Sequence, residues 1–178
     1  MKTLVIGLGN PILGDDGVGW VIAEEVRKRL HGLPAAPSSP SLPPTREGGR
    51  SNGSEVEVDF VSLGGLSLME RLTDAERVIL VDSIFTGEKP IGAVSQFTLE
   101  ALPDLNAGHS ASAHDTSLRN ALNVGRSMQI NLPEDRNVII VAIEAKSVYD
   151  FSQELSPAVA GAVPRAVNMV LDLLDNKE

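Results

Sequence analysis

Three side chains in the sequence could together carry acid–base and metal chemistry, although they lie far apart along the chain. Asp16 follows a glycine-rich turn, Asp82 ends an apolar run, and His114 follows a stretch of small residues. Two carboxylates and one imidazole form a donor set that suits nickel, zinc, manganese or iron. Three protein ligands also leave positions for water or for groups supplied by a partner. The set predicts a metal site with open positions.

The elements that must position these side chains are predicted from the alternation of apolar runs with helical periodicities. This order is typical of a three-layer α/β domain with helices on both faces of a mostly parallel sheet. About five strands are predicted, near residues 4–6, 56–61, 78–81, 93–99 and 137–144. The run at 93–99 follows its predecessor by too short a link for a parallel crossover, so we predict one antiparallel edge strand there. Ligands of such sheets bind outside the carboxyl ends of the strands, where Asp16 and Asp82 are predicted to lie.

One segment, residues 34–54, interrupts this pattern. Five of the eleven prolines lie between Pro34 and Pro44, and glycine, serine, arginine and asparagine follow them. Such a composition does not supply a packed core. The length of 178 residues suits a single domain. We therefore predict one domain over residues 1–178, with a flexible insertion at 34–54.

The charge balance bears on the partners of the chain. Lysine and arginine total 15 against 24 acidic residues, which gives a formal net charge of −9. A polyanion would be repelled by this field, so nucleic acid is not expected as a partner. No uninterrupted apolar run approaches the ~20 residues that a membrane span requires. Because the chain also has no cysteine, we expect a cytoplasmic protein without disulfides or a membrane partner.

The glycine-rich turn, GLGNPILGDDGVGW at residues 7–20, has two interpretations that its residues argue against. A dinucleotide fingerprint requires a third glycine where this chain has Ile12. Asp15 and Asp16 would also occupy the helix N-terminus at which a pyrophosphate binds. Peptidyl-tRNA hydrolases begin with a similar GLGNP, but they continue toward a Thr-Arg-His-Asn segment with a catalytic histidine, which residues 13–16 do not match.

Four motifs, in order and over nearly the whole chain, resemble those of hydrogenase maturation endopeptidases. The first is the pattern G-x-G-N-x-x-x-x-D-[DE]-x-x-G at residues 7–19. The others are an apolar strand ending in Asp-Ser at 78–84, a Ser-Ala-His segment before a helix at 112–118, and Leu-Ser-Pro at 155–157. Each motif is weak alone, whereas four at suitable spacings are specific.

The resemblance implies an aspartyl-type endopeptidase that removes a C-terminal extension from the large-subunit precursor of a nickel hydrogenase after nickel insertion. It implies that Asp16, Asp82 and His114 contact nickel presented by this substrate, with no organic cofactor. Asp16 is the favoured general base because the glycines around it leave its carboxylate accessible. His109 competes with His114 for the histidine position, and the helix that follows His114 favours the latter. Asp15 is expected to cap the first helix or to have a positioning role.

A second function stays open at this point. The chain has no reactive cysteine, no H-E-x-x-H and no serine nucleophile elbow. A non-catalytic nickel-checkpoint chaperone that holds the precursor would need none of them.

Overall fold

Six strands form a single sheet in a computed structural model, which describes residues 2–32, 47–51, 54–62, 64–101, 113–146 and 151–176. The strands are β1 (Lys2–Leu8), β2 (Glu47–Ser51), β3 (Ser54–Val61), β4 (Arg77–Ile84), β5 (Val94–Thr98) and β6 (Val138–Glu144). Their order across the sheet is β2-β3-β1-β4-β6-β5. The four central strands are parallel, whereas β2 and β5 run antiparallel to their neighbours.

Four helices cover the two faces of this sheet. They are α1 (Val18–Leu30), α2 (Gly65–Arg71), α3 (Ala113–Ser127) and α4 (Pro157–Asp175). One core cluster joins α1 and α4 to one face, and a second joins α2 and α3 to the other. The predicted three-layer α/β architecture is confirmed.

The central strands are apolar on both faces because both faces are covered. In β4, Ile79 packs toward α1 and α4, whereas Leu80 packs toward α2 and α3, and both are fully buried. Strands of this kind show continuous apolar runs instead of alternation. This is why β1, β4 and β6 were recognisable in the sequence.

The prediction of five strands with one antiparallel edge was incomplete, since both edges carry an antiparallel strand. The additional strand is β2, which pairs with β3 from Glu47 opposite Val58 to Ser51 opposite Ser54. It lies inside the segment 34–54 that was predicted as a flexible insertion, so that prediction is wrong for residues 47–51. An edge strand pairs through its backbone, and its sequence EGGRS has no apolar pattern to reveal it. The rest of the insertion, apart from Ser54 in β3, lies outside the described residues.

Among the described residues, helix α4 is the one helix whose length and composition alone would allow it to cross a membrane. In this fold it packs on the sheet instead. Its buried residues all belong to the core shared with α1, namely Val159, Ala162, Ala166, Val167, Val170 and Leu174. One face of the helix is therefore buried against the protein core.

Helix α1 approaches the sheet so closely that glycine is required at the contact. A Cβ on Gly19 would lie 2.3 Å from the carbonyl oxygens of both Leu8 and Val81. These are backbone atoms, which cannot move without shifting α1 or the strands. Gly19 thus allows the start of α1 to lie against the ends of β1 and β4.

We expect Gly19→Ala to lower the free energy of unfolding by about 2 kcal/mol, because overpacking a rigid contact has this cost. Gly161→Ala in α4 is the matched control, since a Cβ there meets nothing within 4 Å. That change should stabilise the helix by about 0.5–1 kcal/mol. Urea denaturation of both variants measures the difference, and equal stabilities would contradict the close packing.

Candidate active site

The parallel strands β3, β1, β4 and β6 end at one edge of the sheet, here called the carboxyl edge. The loop 9–17 follows β1 at this edge and includes a 3-10 turn, Gly14–Gly17, that leads directly into α1. Asp16 belongs to this turn. Asp82 lies in β4, two residues before the strand ends, and only 2% of its surface is exposed. Both predicted acids therefore lie at the edge where ligands bind in such folds.

Two hydrogen bonds fix the carboxylate of Asp16. The backbone N–H of Asn10 donates to Oδ2 at 2.7 Å, and the hydroxyl of Ser83 donates to Oδ1 at 3.3 Å. Asn10 belongs to the same loop, whereas Ser83 follows Asp82 in β4. The Asp16 loop is thus held against the end of the neighbouring strand, at the residue that follows Asp82 in sequence. Asp16 itself is half-buried, which leaves part of it accessible.

Asp82 lies on the face of β4 that α2 and α3 cover. The residues two and four positions before it, Leu80 and Val78, both pack in the core on that side, and side chains alternate along a strand. Helix α3 carries His114 as its second residue. Asp82 therefore lies in the interface between the sheet and the layer that contains the predicted histidine.

The direction of α3 brings its start toward the carboxyl edge. Its C-terminal end lies at the opposite edge. Asn131 follows α3 by four residues, and its backbone carbonyl accepts the N–H of Asp74, three residues before β4 begins. The His114 side chain and all of His109 lie outside the described part of the structure. Among the side chains that are described, no three His, Cys, Asp or Glu form a group that could hold a metal ion. The assignment of Asp16, Asp82 and His114 as ligands stays a prediction.

The glycines of the opening motif serve close backbone contacts. Gly9 has a φ of +112°, and a Cβ there would lie 1.8 Å from the carbonyl oxygen of Asp16. Asn10 closes the turn, since its Oδ1 accepts the N–H of Ile12 at 3.2 Å. The motif therefore folds the loop back on itself and places Asp16 directly over Gly9.

Asp15 positions a distant helix and does not cap α1. It is 3% exposed, and it makes no capping bond to α1. Its Oδ1 accepts the backbone N–H of Ser156 at 2.6 Å and its Oδ2 accepts the hydroxyl of Ser156 at 2.8 Å. Ser156 is the N-cap residue of α4. Asp15 thus anchors the start of the last helix, which is a positioning role, and of its two expected roles only the capping of α1 is wrong.

Glu144, the last residue of β6, is a buried carboxylate that the sequence analysis missed. It is 2% exposed and accepts three hydrogen bonds, from the N–H and hydroxyl of Thr86 and the N–H of Gly87. These bonds fix the loop after β4. The sequence feature that marks Glu144 is an acid at the end of an apolar strand, the same feature that marks Asp82.

The chain is similar to known proteins over most of its length. Residues 51–173 match the family model described as HycI, hydrogenase maturation protease. A putative hydrogenase maturation protease of Methanocaldococcus jannaschii is 25% identical over 172 residues, which cover 94% of this chain and 93% of the relative.

Two solved structures have the same fold. The hydrogenase maturating endopeptidase HybD of E. coli has a TM-score of 0.69 at 21% identity, covering 98% of this chain and 93% of that one. A hydrogenase 2 maturation peptidase from a Thaumarchaeota archaeon has a TM-score of 0.58 at 27% identity, covering 99% and 100%. The family match spans more than half of the chain and excludes the peptidyl-tRNA hydrolase interpretation. The chain belongs to the hydrogenase maturation protease family and is an endopeptidase, a hydrolase of peptide bonds.

Proposed function

We propose that this endopeptidase removes the C-terminal extension of a nickel-containing hydrogenase large-subunit precursor once nickel has been inserted. The observation that carries the proposal is the placement of Asp16 at the carboxyl edge, held by Asn10 and by Ser83, the residue that follows Asp82 in β4. Family membership supports the reaction class. The precursor is the partner, and the nickel is part of the substrate.

Two carboxylates and one imidazole would recognise the nickel by direct contact. Asp16, Asp82 and His114 contact the ion that the precursor presents, because oxygen and imidazole donors suit nickel. Asp82 is almost fully buried, and a carboxylate in such surroundings is stabilised by a positive charge close to it. A precursor that carries nickel is therefore bound in preference to one that lacks it. Nickel in the substrate acts as the condition for cleavage.

Asp16 is the residue best placed to handle a proton. Its hydrogen bonds come from Asn10 and Ser83, which fix the orientation of the carboxylate. As a general base it accepts a proton from water, whose oxygen attacks the scissile carbonyl carbon. The proton then passes to the leaving amine as the peptide bond breaks.

The remaining properties follow from composition. A net charge of −9 disfavours nucleic acid, and no organic cofactor is required for hydrolysis of an amide. We place the protein in the cytoplasm.

Intact-mass measurement of a hydrogenase large-subunit precursor tests the function. The purified full chain is incubated with nickel-loaded precursor and, in parallel, with nickel-free precursor from the same source. We expect the nickel-loaded precursor alone to lose its extension. Stable binding of the nickel-loaded precursor without any shortening would show a nickel-checkpoint chaperone instead. Equal cleavage of both precursors would contradict the nickel requirement.

A further inference from the structure

Large apolar side chains are exposed at the carboxyl edge, close to the candidate active site. Within the described ranges, six large apolar residues are exposed: Ile12, Leu66, Phe85, Val124, Met128 and Phe151. Four of them, all but Val124 and Met128, lie in segments that follow the parallel strands at this edge. The chain has only four phenylalanines, and two are exposed here, Phe85 by 58% and Phe151 by 86%.

Three of these residues lie in segments that hydrogen-bond to Asp16 or to its loop, or belong to that loop, and are here called the apolar rim: Ile12, Phe85 and Phe151. Ile12 belongs to the Asp16 loop, and Phe85 follows Ser83 by two positions. Phe151 is brought beside Ile12 by its neighbour Ser152, whose N–H donates to the Ile12 carbonyl at 3.1 Å. The N–H of Gly14 also donates to the Ser152 carbonyl, at 2.7 Å. Ile12 and the segment of Phe151 are therefore attached to the loop that carries Asp16.

We infer that the apolar rim binds the C-terminal extension of the precursor as an extended, non-acidic peptide with apolar side chains. This inference rests on the proposed function and names the part of the substrate that the surface accepts. Ile12 shares the loop of Asp16, and Phe85 lies two residues after the Ser83 that bonds Asp16, so a segment bound along the rim passes the candidate base. The net charge of −9 opposes an acidic segment and favours a neutral or basic one.

The size of the rim favours a peptide over a second copy of the chain. Two aromatic rings and one isoleucine at these exposures present roughly 300–400 Å² of surface. A stable interface between folded proteins usually buries about 800 Å² on each partner. A few apolar side chains of an extended segment would fill the rim.

Binding of nickel-free precursor tests the rim apart from catalysis, because the proposed function leaves that precursor uncleaved. The full chain is titrated with nickel-free precursor and with precursor truncated at its mature C-terminus. We expect Phe85→Ser, Phe151→Ser and Ile12→Ser each to raise the Kd about tenfold or more, and truncation to do the same. The controls Val124→Ser, exposed in the last turn of α3, and Met128→Ser, exposed directly after α3, should bind like the parent chain.

Cleavage of nickel-loaded precursor gives the second readout. The rim variants should raise KM about tenfold, with kcat within about twofold of the parent, because the rim holds the substrate away from the reacting atoms. Rim variants or truncated precursor that bind within twofold of the parent pair would overturn the inference. A parent chain that does not bind nickel-free precursor would also overturn it.

The two proposals fail separately. Rim-dependent binding without any cleavage would remove the protease function and keep the rim. Cleavage with an unchanged KM in all three variants would remove the rim and keep the function. If the parent is a dimer that the rim variants convert to a monomer, the rim is a contact between copies of the chain and the inference is wrong.

Discussion

Replacing Asp16 with alanine should lower kcat/KM for precursor cleavage about 1000-fold while the protein stays folded. The substitution removes both the proposed general base and one proposed contact to the substrate's nickel, and losses of 10²- to 10⁴-fold are usual for such groups. Asp82→Ala and His114→Ala should be comparably inactive if the three side chains contact the same ion. The rate is measured by intact mass with nickel-loaded precursor, and thermal unfolding verifies the fold.

The Asp16→Asn variant separates the charge from the shape of the loop. In the parent chain the N–H of Asn10 donates to Oδ2 of Asp16 at 2.7 Å. An asparagine keeps an oxygen that can accept this bond, so the turn should persist. We expect Asp16→Asn to be nearly as inactive as Asp16→Ala. The amide is not a base for the proton of water, and it lacks the negative charge that attracts the nickel ion.

Two controls remove similar groups from other parts of the chain. Asp172→Asn changes an exposed acid on α4, and His31→Ala changes an exposed residue directly after α1. Both should retain activity within about twofold of the parent chain, because each lies near the C-terminal end of a helix that begins at the carboxyl edge. If Asp16→Ala stays within tenfold of these controls, Asp16 is not a catalytic residue, and the predicted site is wrong.

The main features of the fold were predictable because burial dominates its central strands. β1, β4 and β6 are covered on both faces, so their sequences are continuous apolar runs. The position of Asp16 and Asp82 followed from the same fact, since parallel strands end at one edge. Asp16 was also marked by the glycines around it, whose close backbone contacts the structure shows.

The features that were not predictable depend on partners distant in sequence. β2 is defined by backbone pairing with β3, and its residues carry no pattern of their own. Glu144 is held by Thr86 and Gly87, 58 and 57 residues earlier in the chain. A capping role for Asp15 was a local expectation, whereas the residue that Asp15 positions, Ser156, lies 141 residues away. No short-range rule identifies such pairs.

Replacing Asp15 with alanine should lower the free energy of unfolding by about 4 kcal/mol, the largest stability effect that we expect. Two hydrogen bonds to a buried carboxylate are lost, and each is worth about 1.5–3 kcal/mol when the acceptor is charged. For a chain of this size the melting temperature should fall by about 10 °C. Glu154→Ala is the matched control, since that acid is exposed in the same region as Ser156, and it should have little effect.

A double-mutant cycle with Ser156 assigns the loss to the proposed contact. Ser156→Ala removes only the hydroxyl bond to Oδ2 and should cost about 1.5 kcal/mol, while the backbone N–H still donates to Oδ1. In the Asp15→Ala background the same change should cost almost nothing, because its partner is already absent. Additive losses would show that Asp15 stabilises the fold by another route. Because Asp15 anchors α4 and does not face the proposed substrate, Asp15→Ala should keep kcat within about tenfold of the parent at temperatures where it is folded, in contrast to its neighbour Asp16.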